Sequence, residues 1–310
     1  MLRRLSFIIP IFNESENIPE TYRQLMAVIK NQLANSIYEI IFVNDGSSDN
    51  SLEILKKLQK KDKLIHVISF RRNMGKATAL TQGFLKATGD IAVTLDGDLQ
   101  DGPENIPQML EKLRQGFDMI VGWKKERHDP LEKRVASYIF NNVVKQQFGT
   151  NLHDMNCGLK AIKKDAYKRL HPYGEHHRFI PVLALQLGFK VNEIIVTHHP
   201  RLHGKSKYGK QRILRGFFDL ITVLFFDRYG KSPMYLFGFL GGASLIFGTL
   251  IGFYLSILHF MGESIGRRPL ILLAMLLVIT GIQMFSIGLI AEMLTFLSHQ
   301  YKEVPIDYEA

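Results

Sequence analysis

Ile91-Ala-Val-Thr-Leu-Asp-Gly-Asp98 is the most informative segment of this sequence, because five apolar or β-branched residues run directly into two carboxylates. Such a short apolar run is typical of a strand that is buried on both faces of a parallel sheet. A turn after the strand, with Gly97 between them, would bring Asp96 and Asp98 together. Paired carboxylates at a strand end suit Mg²⁺ or Mn²⁺, which bind one or two carboxylates together with substrate phosphates. The alternative is an acidic turn that caps a helix beginning at Pro103.

On both sides of this segment, strand-like and helical patterns alternate. We predict strands at 5–9, 38–43, 65–69, 91–95 and 118–121, and helices at 16–33, 49–60, 76–87 and 103–115. This βαβα order predicts an α/β fold with a mostly parallel, Rossmann-like sheet. Ligands of such sheets bind beyond the carboxyl ends of the strands, where Asn13-Glu14 and Asn44-Asp45 also fall.

Two nucleotide-binding signatures are absent from the sequence. No Gly-x-Gly-x-x-Gly follows the first strand, and no Gly-x4-Gly-Lys-Ser/Thr occurs. Their absence argues against dinucleotide oxidoreductases and P-loop NTPases, so a nucleotide bound here must be held by side chains and a metal. The single cysteine, Cys157, excludes an internal disulfide and a Cys-x-x-Cys zinc site.

Charge divides the 310-residue chain into a basic head and an apolar tail. Residues 1–233 contain 36 Lys/Arg and 24 Asp/Glu, whereas residues 234–310 contain three and five. Met234–Gly262 and Pro269–Ala291 are runs of 29 and 23 residues without a charge. Each exceeds the roughly 20 apolar residues that span a bilayer as a helix, and the short link between them predicts a hairpin. Buried core helices are the alternative. Close helix packing is expected at Gly238, Gly241, Gly242, Gly281 and Gly288.

Positive charge next to the hairpin predicts its orientation. Residues 201–231 hold eight Lys/Arg and two Asp, so the head is expected on the cytoplasmic side of the plasma membrane, without a signal peptide. The apolar segment 213–226 is predicted to lie at the membrane interface as an amphipathic helix, with a core helix as the alternative. The predicted organisation is a catalytic domain at 1–210, a juxtamembrane helix at 211–232, a two-helix membrane segment at 233–298 (helices at about 234–261 and 269–291) and a cytoplasmic tail at 299–310.

Four ordered motifs resemble those of family 2 glycosyltransferases with the GT-A fold. They are Phe7-Ile-Ile-Pro-Ile-Phe-Asn-Glu14, Val43-Asn-Asp-Gly-Ser-Ser-Asp49, Arg72-Asn-Met-Gly-Lys76 and Leu95-Asp-Gly-Asp-Leu-Gln-Asp101. Within that family the chain is similar to the polyprenyl-phosphate hexosyltransferases, including dolichol-phosphate mannose synthase and bacterial polyprenyl-phosphate glucosyltransferases. The segment Arg201-Leu-His-Gly-Lys-Ser-Lys-Tyr208 is similar to a loop of the mannose synthases, and the two-helix tail matches the bacterial glucosyltransferases.

The resemblance implies a role for each polar cluster at the strand ends. The implied donor-side residues are Pro10, Phe12 and Glu14 in the nucleotide pocket, Asp45 at the base, Lys76 and Asp96 on the donor, and Asp96, Asp98 and Gln100 at a Mg²⁺ or Mn²⁺ ion. An edge carboxylate can accept hydrogen bonds from a base, and a metal offsets the charge of a diphosphate. Asp98 is implied to take part in catalysis through that ion.

The acceptor side requires cations, because a lipid phosphate is bound near the membrane by arginine and lysine. The candidate acceptor-phosphate residues are Lys124, Arg127, Arg134, Arg201, Ser206 and Lys207. Lys124 stands where related enzymes often have arginine. Asp154-Met-Asn-Cys-Gly-Leu-Lys160 is similar to the family's Asp-x-x-x-Gly-Phe-Arg/Lys segment, which makes Asp154 the candidate catalytic carboxylate. A phosphate monoester has its second pKa near 6, so Asp154 either removes a proton or orients the acceptor.

The resemblance implies an inverting glycosyltransferase that moves a hexose from a nucleotide sugar, UDP-glucose being favoured, to undecaprenyl or dolichyl phosphate at the cytoplasmic membrane face. A GDP-mannose-dependent mannosyltransferase is the alternative. A processive polysaccharide synthase is disfavoured because Gln-x-x-Arg-Trp is absent, and a non-catalytic nucleotide-binding scaffold because Asp96, Asp98 and Asp154 are all present. The expected partners are the nucleotide sugar, the polyprenyl phosphate, the membrane and further copies of the chain in a dimer or tetramer, but no nucleic acid.

Overall fold

The computed structural model describes residues 4–98, 100, 102–125, 145, 149–150, 152–170, 176–197, 199, 225, 228–229, 232–265 and 269–299. The chain divides into two compact units, Met1–Asp219 and Leu220–Ala310. The predicted juxtamembrane helix and the basic segment 201–210 fall largely or wholly outside the described residues.

The first unit is built on a seven-stranded sheet in the order β3-β2-β1-β4-β6-β5-β7. The strands are β1 Arg4–Ile11, β2 Ile37–Asn44, β3 Ile65–Ser69, β4 Ile91–Thr94, β5 Met119–Trp123, β6 Lys160–Lys163 and β7 Val191–Ile195. Only β6 runs antiparallel to its two neighbours among these strands. The predicted α/β fold with a mostly parallel sheet is therefore confirmed.

Helices cover the sheet, and the first four lie close to where the sequence predicts them, whereas the last two were not predicted. They are α1 Ile18–Gln32, α2 Ser51–Lys61, α3 Lys76–Lys86, α4 Ile106–Arg114, α5 Lys164–Arg169 and α6 Ile180–Gln186. The helix expected from Pro103 begins as a 3-10 turn, Pro103–Asn105, and becomes α-helical at Ile106. Proline lacks a backbone N–H and is therefore tolerated in the first turn.

The register of the central strands aligns the carboxyl ends of these strands, where a site can form. In parallel pairing, Ile11 of β1 lies opposite Asn44 of β2, and Ile8 lies opposite Thr94 of β4. Strands β1 and β4 are almost completely buried because helices pack on both faces of the sheet. The turns that follow these three strands therefore emerge side by side at the carboxyl edge of the sheet.

At the opposite edge, the buried carboxylate of Glu39 joins β1, β2 and the end of α3. Glu39 accepts hydrogen bonds from the Ser6 hydroxyl (2.6 Å) and from the backbone N–H (2.8 Å) and hydroxyl (2.7 Å) of Thr88. The imidazole of His66 lies 3.6 Å away. Burial alone would raise the pKa of Glu39, but these hydrogen bonds and His66 together hold it below its ordinary value.

Replacing Glu39 by alanine is expected to lower the free energy of unfolding by about 2 kcal/mol at pH 7, because Thr88 would lose its charged acceptor. A lowered folded-state pKa stabilises the fold above the unfolded pKa, near the ordinary value of 4.5, and this contribution is lost as the pH falls through the folded pKa. The difference in urea midpoint between the two proteins should therefore shrink below pH 4.5. Exposed Glu53, which pairs with Lys56 on α2, gives the matched control, Glu53→Ala. An undiminished difference at low pH would contradict the linkage.

The second unit contains two long apolar helices, α7 Met234–Phe260 and α8 Pro269–His299. Both are long and apolar enough to cross a membrane, and only 11% of each apolar window is buried within the protein. A Cβ atom at Gly241 would lie 2.8 Å from the carbonyl oxygen of Gly281, so the helices touch through glycine backbones. Gly242 was also expected at this contact but meets nothing within 4 Å. Glu292 accepts the backbone N–H of Met234 at 3.2 Å and caps α7.

Candidate active site

The turns after β1 and β2 are locked together by hydrogen bonds. Asn13, in a left-handed conformation (φ 51°), accepts the Ser48 N–H at 2.8 Å and donates its own backbone N–H to Ser47 Oγ at 2.9 Å. The backbone N–H of Glu14 donates to Ser51 Oγ at 3.1 Å. The Glu14 carboxylate accepts the Asn17 amide. The polar end of the predicted nucleotide pocket is thus a preformed structure in which Glu14 is held in place.

Of the other two pocket residues, Pro10 lies in β1 opposite Val43, and Phe12 follows the strand. Both side chains are partly exposed. They therefore lie at the carboxyl edge of the sheet, where a base could contact them, and their predicted role stays a prediction.

Asp45 connects the end of β2 to the segment that precedes α3. Its carboxylate accepts the backbone N–H groups of Met74 at 2.6 Å and Gly75 at 3.0 Å. Burial raises the pKa of Asp45, and the two hydrogen bonds oppose that rise. Gly46 has φ +66°, and a Cβ there would lie 2.6 Å from Asn73 N. This close approach accounts for the glycine in the motif and places the start of α3 beside the strand ends.

Lys76, the first residue of α3, pairs with Asp96. Its Nζ lies 2.5 Å from Asp96 Oδ1, and both side chains are about one-quarter exposed. The other side of Asp96 is closed by Gly158, where a Cβ would lie 2.5 Å from both carboxylate oxygens. The Asp96 carboxylate is therefore held between an ammonium group and a glycine backbone, with its open side toward solvent.

Asp98 lies one glycine further along the same turn. Its Oδ1 accepts the Gln100 N–H at 3.3 Å, and the Gly97 carbonyl accepts the Thr21 hydroxyl at 3.3 Å. The Gln100 carbonyl in turn accepts the backbone N–H of His199 at 2.9 Å. Gln100 therefore supports the Asp98 turn through its backbone.

Asp96 and Asp98 suit a divalent cation whose remaining coordination positions are filled by a bound ligand. Within the described part of the chain, no three His, Cys, Asp or Glu side chains gather as a full metal-ligand set. Magnesium bound with nucleotides commonly takes one or two carboxylates from the protein and the rest of its oxygens from phosphates and water. Asp96 and Asp98 match that donor set in chemical type. The ion pair between Asp96 and the Lys76 ammonium is a contact of the same carboxylate with a cation.

Asp154, the candidate catalytic carboxylate, is buried, with 1% of its surface exposed. Its Oδ1 accepts the Asn156 N–H at 3.1 Å, and its Oδ2 lies 3.5 Å from the Lys124 N–H. The structure thus places the Asp154 carboxylate beside the backbone of Lys124, and the roles of both residues toward the acceptor stay predictions. The other proposed phosphate ligands lie outside the described residues; they are Arg127, Arg134, Arg201, Ser206 and Lys207.

Lys160 was quoted in the Asp154 segment but was not predicted as a site residue. It opens β6, is 4% exposed, and donates its ammonium to the Cys157 carbonyl. Burial lowers the pKa of Lys160, and the charges of Asp96 and Asp154 oppose that change. No local signal marked Lys160, because the strand that it begins is not among those that the sequence predicts. Glu193 and His153 had no local signal either.

Comparison with known proteins agrees with this geometry. The family model described as glycosyl transferase family 2 matches residues 6–170. A dodecaprenyl-phosphate galacturonate synthase of Rhizobium johnstonii is 36% identical over 94% of this chain and 87% of its own length. An undecaprenyl-phosphate 4-deoxy-4-formamido-L-arabinose transferase of Pseudomonas aeruginosa is 33% identical over 97% of this chain and 86% of its own.

Solved structures support the fold. Glucosyl-3-phosphoglycerate synthase from Mycobacterium tuberculosis, in complex with Mn²⁺, UDP and glucosyl-3-phosphoglycerate, superposes with a TM-score of 0.55. The match covers 73% of this chain and 80% of that one at 16% identity. The ordered strand-end motifs, the sheet topology and the similarity along nearly the whole sequence lead to one conclusion: the chain is a glycosyltransferase and belongs to glycosyltransferase family 2.

Proposed function

We propose that this enzyme transfers a sugar from a UDP-sugar to a polyprenyl phosphate at the cytoplasmic face of a membrane. The observation that carries the proposal is the Lys76–Asp96 pair at the carboxyl edge of the sheet, with Asp98 two residues further along the same turn. Gly158, which contacts Asp96, belongs to the same short segment as Asp154. The galacturonate synthase and the arabinose transferase act, by their names, on polyprenyl phosphates. Their similarity extends over 94% and 97% of this chain and so includes the apolar helices.

The same proposal includes the organisation of the chain. Residues 1–210 form the catalytic domain, 211–232 the juxtamembrane helix and 233–298 the membrane hairpin, with the tail at 299–310 returning to the cytoplasm. The excess of Lys/Arg over Asp in 201–231 supports a cytoplasmic catalytic domain. Assembly into a dimer or tetramer stays a prediction.

On the donor side, this chain's residues hold and orient the nucleotide sugar. Glu14 and Asp45 lie at the nucleoside end of the edge, while Lys76 and the two aspartates lie at the diphosphate end. Asp96 and Asp98 would hold Mg²⁺ or Mn²⁺, which when bound offsets the negative charge of the departing diphosphate. The Lys76 ammonium would add a second cation beside that diphosphate.

In the transfer, an oxygen of the lipid phosphate forms a bond to the anomeric carbon while the bond from that carbon to the diphosphate oxygen breaks. The bonding electron pair leaves with UDP, and a single displacement inverts the configuration. Because the acceptor phosphate has a second pKa near 6, it is mostly a dianion at pH 7, and no proton has to be removed. Positioning then matters more than base catalysis.

Asp154 accordingly acts as an orienting carboxylate. Its burial and its contacts with the N–H groups of Asn156 and Lys124 support this role over that of a base. By holding the backbone of Lys124, it would set the start of the cationic segment that binds the lipid phosphate. The remaining phosphate ligands would be Arg127, Arg134, Arg201, Ser206 and Lys207.

The identity of the transferred sugar is a separate part of the proposal. The sequence favoured UDP-glucose, whereas the relatives are named for galacturonate and 4-deoxy-4-formamido-L-arabinose. We therefore place galacturonate first, since the relative named for it is 36% identical over 94% of the chain, and keep glucose and GDP-mannose as competitors.

A donor panel tests the proposal. Purified protein in lipid nanodiscs should transfer radiolabelled galacturonate from its UDP donor to undecaprenyl phosphate about tenfold faster than glucose, because one mismatched polar sugar contact costs about 1–3 kcal/mol and about 1.4 kcal/mol corresponds to tenfold. Transfer should stop with EDTA and return with Mn²⁺ or Mg²⁺. Product from another UDP-sugar or from GDP-mannose would replace the donor assignment. Release of free sugar without any lipid product would contradict the proposed acceptor.

A further inference from the structure

Glu193 is a carboxylate outside every motif of the sequence, yet it holds the residue next to Asp154. It lies on β7, and its side chain is 11% exposed. Its Oε2 accepts the backbone N–H of His153 at 2.6 Å, and its Oε1 pairs with His153 Nδ1. Because an ionised carboxylate only accepts hydrogen bonds, Nδ1 is the donor. One carboxylate therefore fixes both the main chain and the ring of His153.

The ring of His153 is also held from its face. It stacks on Trp123, with ring centroids 4.2 Å apart and an interplanar angle of 15°. Trp123 is the last residue of β5, and its carbonyl accepts the Val196 N–H at 3.0 Å just beyond β7. The stacking partner and the carboxylate thus come from the adjacent strands β5 and β7, which pair in parallel.

These contacts lie one peptide away from the acceptor-side pair. Trp123 and His153, which stack on each other, directly precede Lys124 and Asp154 in the chain. The residues that follow the stacked pair are therefore the two that meet through the Lys124 N–H and the Asp154 carboxylate. A shift of His153 would move the Asp154 main chain with it. No contact in the described residues between Glu193 and the donor-side aspartates would transmit the same shift to the nucleotide.

We propose that Glu193, His153 and Trp123 form a clamp that positions Asp154 for the lipid phosphate. The inference rests on the proposed role of Asp154 in orienting the acceptor. Glu193 and Trp123 act through His153 and are positioning residues. The clamp explains how a loop residue can be held on the sheet with the accuracy that a displacement reaction requires.

The test compares Glu193→Ala with the conservative Glu193→Gln in the full-length protein. Glu193→Ala should lower kcat for lipid transfer about 10- to 100-fold, the usual cost of losing an outer orienting contact. Its Kd for UDP with Mn²⁺ should stay within about twofold, since the nucleotide lies at the other strand ends. Glu193→Gln keeps one oxygen that accepts the His153 backbone N–H, and its amide N–H can donate to Nδ1 of the other imidazole tautomer, so this variant should restore most of the turnover. Exposed Glu111, paired with Arg114 on α4, gives the matched control Glu111→Ala.

A spectroscopic measurement reports on the clamp without any activity. Trp123 is the only tryptophan of the chain, so its fluorescence reads the Trp123–His153 stack directly. Loss of Glu193 should free His153, remove its quenching contact and raise the emission. Glu193→Gln and Asp154→Asn should keep the wild-type spectrum.

The outcomes separate the two proposals. Wild-type turnover or an unchanged spectrum in Glu193→Ala would overturn the clamp. A fall in UDP binding that parallels the fall in turnover would also overturn the clamp, and so would failure of Glu193→Gln to restore turnover. Either result would indicate a general structural defect and not the loss of a positioning contact. Asp154→Asn tests the proposed orienting role of Asp154, which wild-type transfer by that variant would contradict. If Asp154→Asn impairs transfer while Glu193→Ala transfers at the wild-type rate, only the clamp is overturned.

Discussion

Asp98→Ala is expected to reduce kcat/KM for lipid-linked sugar formation by about 1,000-fold or more. The substitution removes one of the two carboxylates that fit a divalent cation, and with it the stabilisation of charge on the departing diphosphate. The turn itself should survive, because its Gly97 carbonyl is anchored by Thr21 and does not depend on the Asp98 side chain. Transfer of radiolabelled sugar and calorimetric binding of Mn²⁺ with UDP measure the two effects.

The control for this change is Asp165→Ala, which removes an exposed aspartate in the first turn of α5. Transfer by that variant should stay within about twofold of wild type, as for most surface substitutions away from a site. If Asp98→Ala kept more than one-tenth of the wild-type rate at saturating metal, the assignment of Asp98 to the metal and the diphosphate would be wrong.

Gly158→Ala is the second change with a large expected effect, a loss of about 100-fold in transfer. The added methyl group would lie 2.5 Å from both carboxylate oxygens of Asp96. The backbone cannot easily yield, because the Gly158 carbonyl accepts the buried Thr94 hydroxyl at 2.7 Å. Asp96 must then rotate away, which breaks its 2.5 Å pair with Lys76 and displaces a metal ligand.

Weaker binding of Mn²⁺ with UDP should accompany this loss, since the displaced group belongs to the donor side. Gly252→Ala provides a matched control, because a Cβ at that helical position meets nothing within 4 Å. Wild-type metal and nucleotide affinity in Gly158→Ala would show that the Asp96 carboxylate does not need its observed position.

The strand-end aspartates could be predicted from local sequence. Asp45, Asp96 and Asp98 each follow a short apolar run, and in a parallel sheet the carboxyl ends of neighbouring strands emerge at one edge whatever the details of packing. The helices were predictable for a similar reason, because an amphipathic period of 3.6 residues records which face is buried. The two long apolar helices are equally a local property of run length and charge.

The placement of β6 could not be predicted from such signals. Lys160–Lys163 is a four-residue strand that inserts antiparallel between β4 and β5. That pairing carries Gly158 to Asp96 and Asp154 to Lys124, contacts between residues 30 or more positions apart. Strand pairing at that distance depends on contacts between residues far apart in the chain, and no local period encodes it.

The sequence by itself determined the order of strands and helices up to β5, the apolar tail and the chemical types of the candidate site residues, since each depends on neighbours within a few positions. Only the tertiary structure decided which groups meet: Lys76 with Asp96, Gly158 against the same carboxylate, and Glu193 with His153. These contacts join residues 20 to 62 positions apart. They form because burying the whole sheet brings its edges and turns together, and that burial is a property of the complete fold.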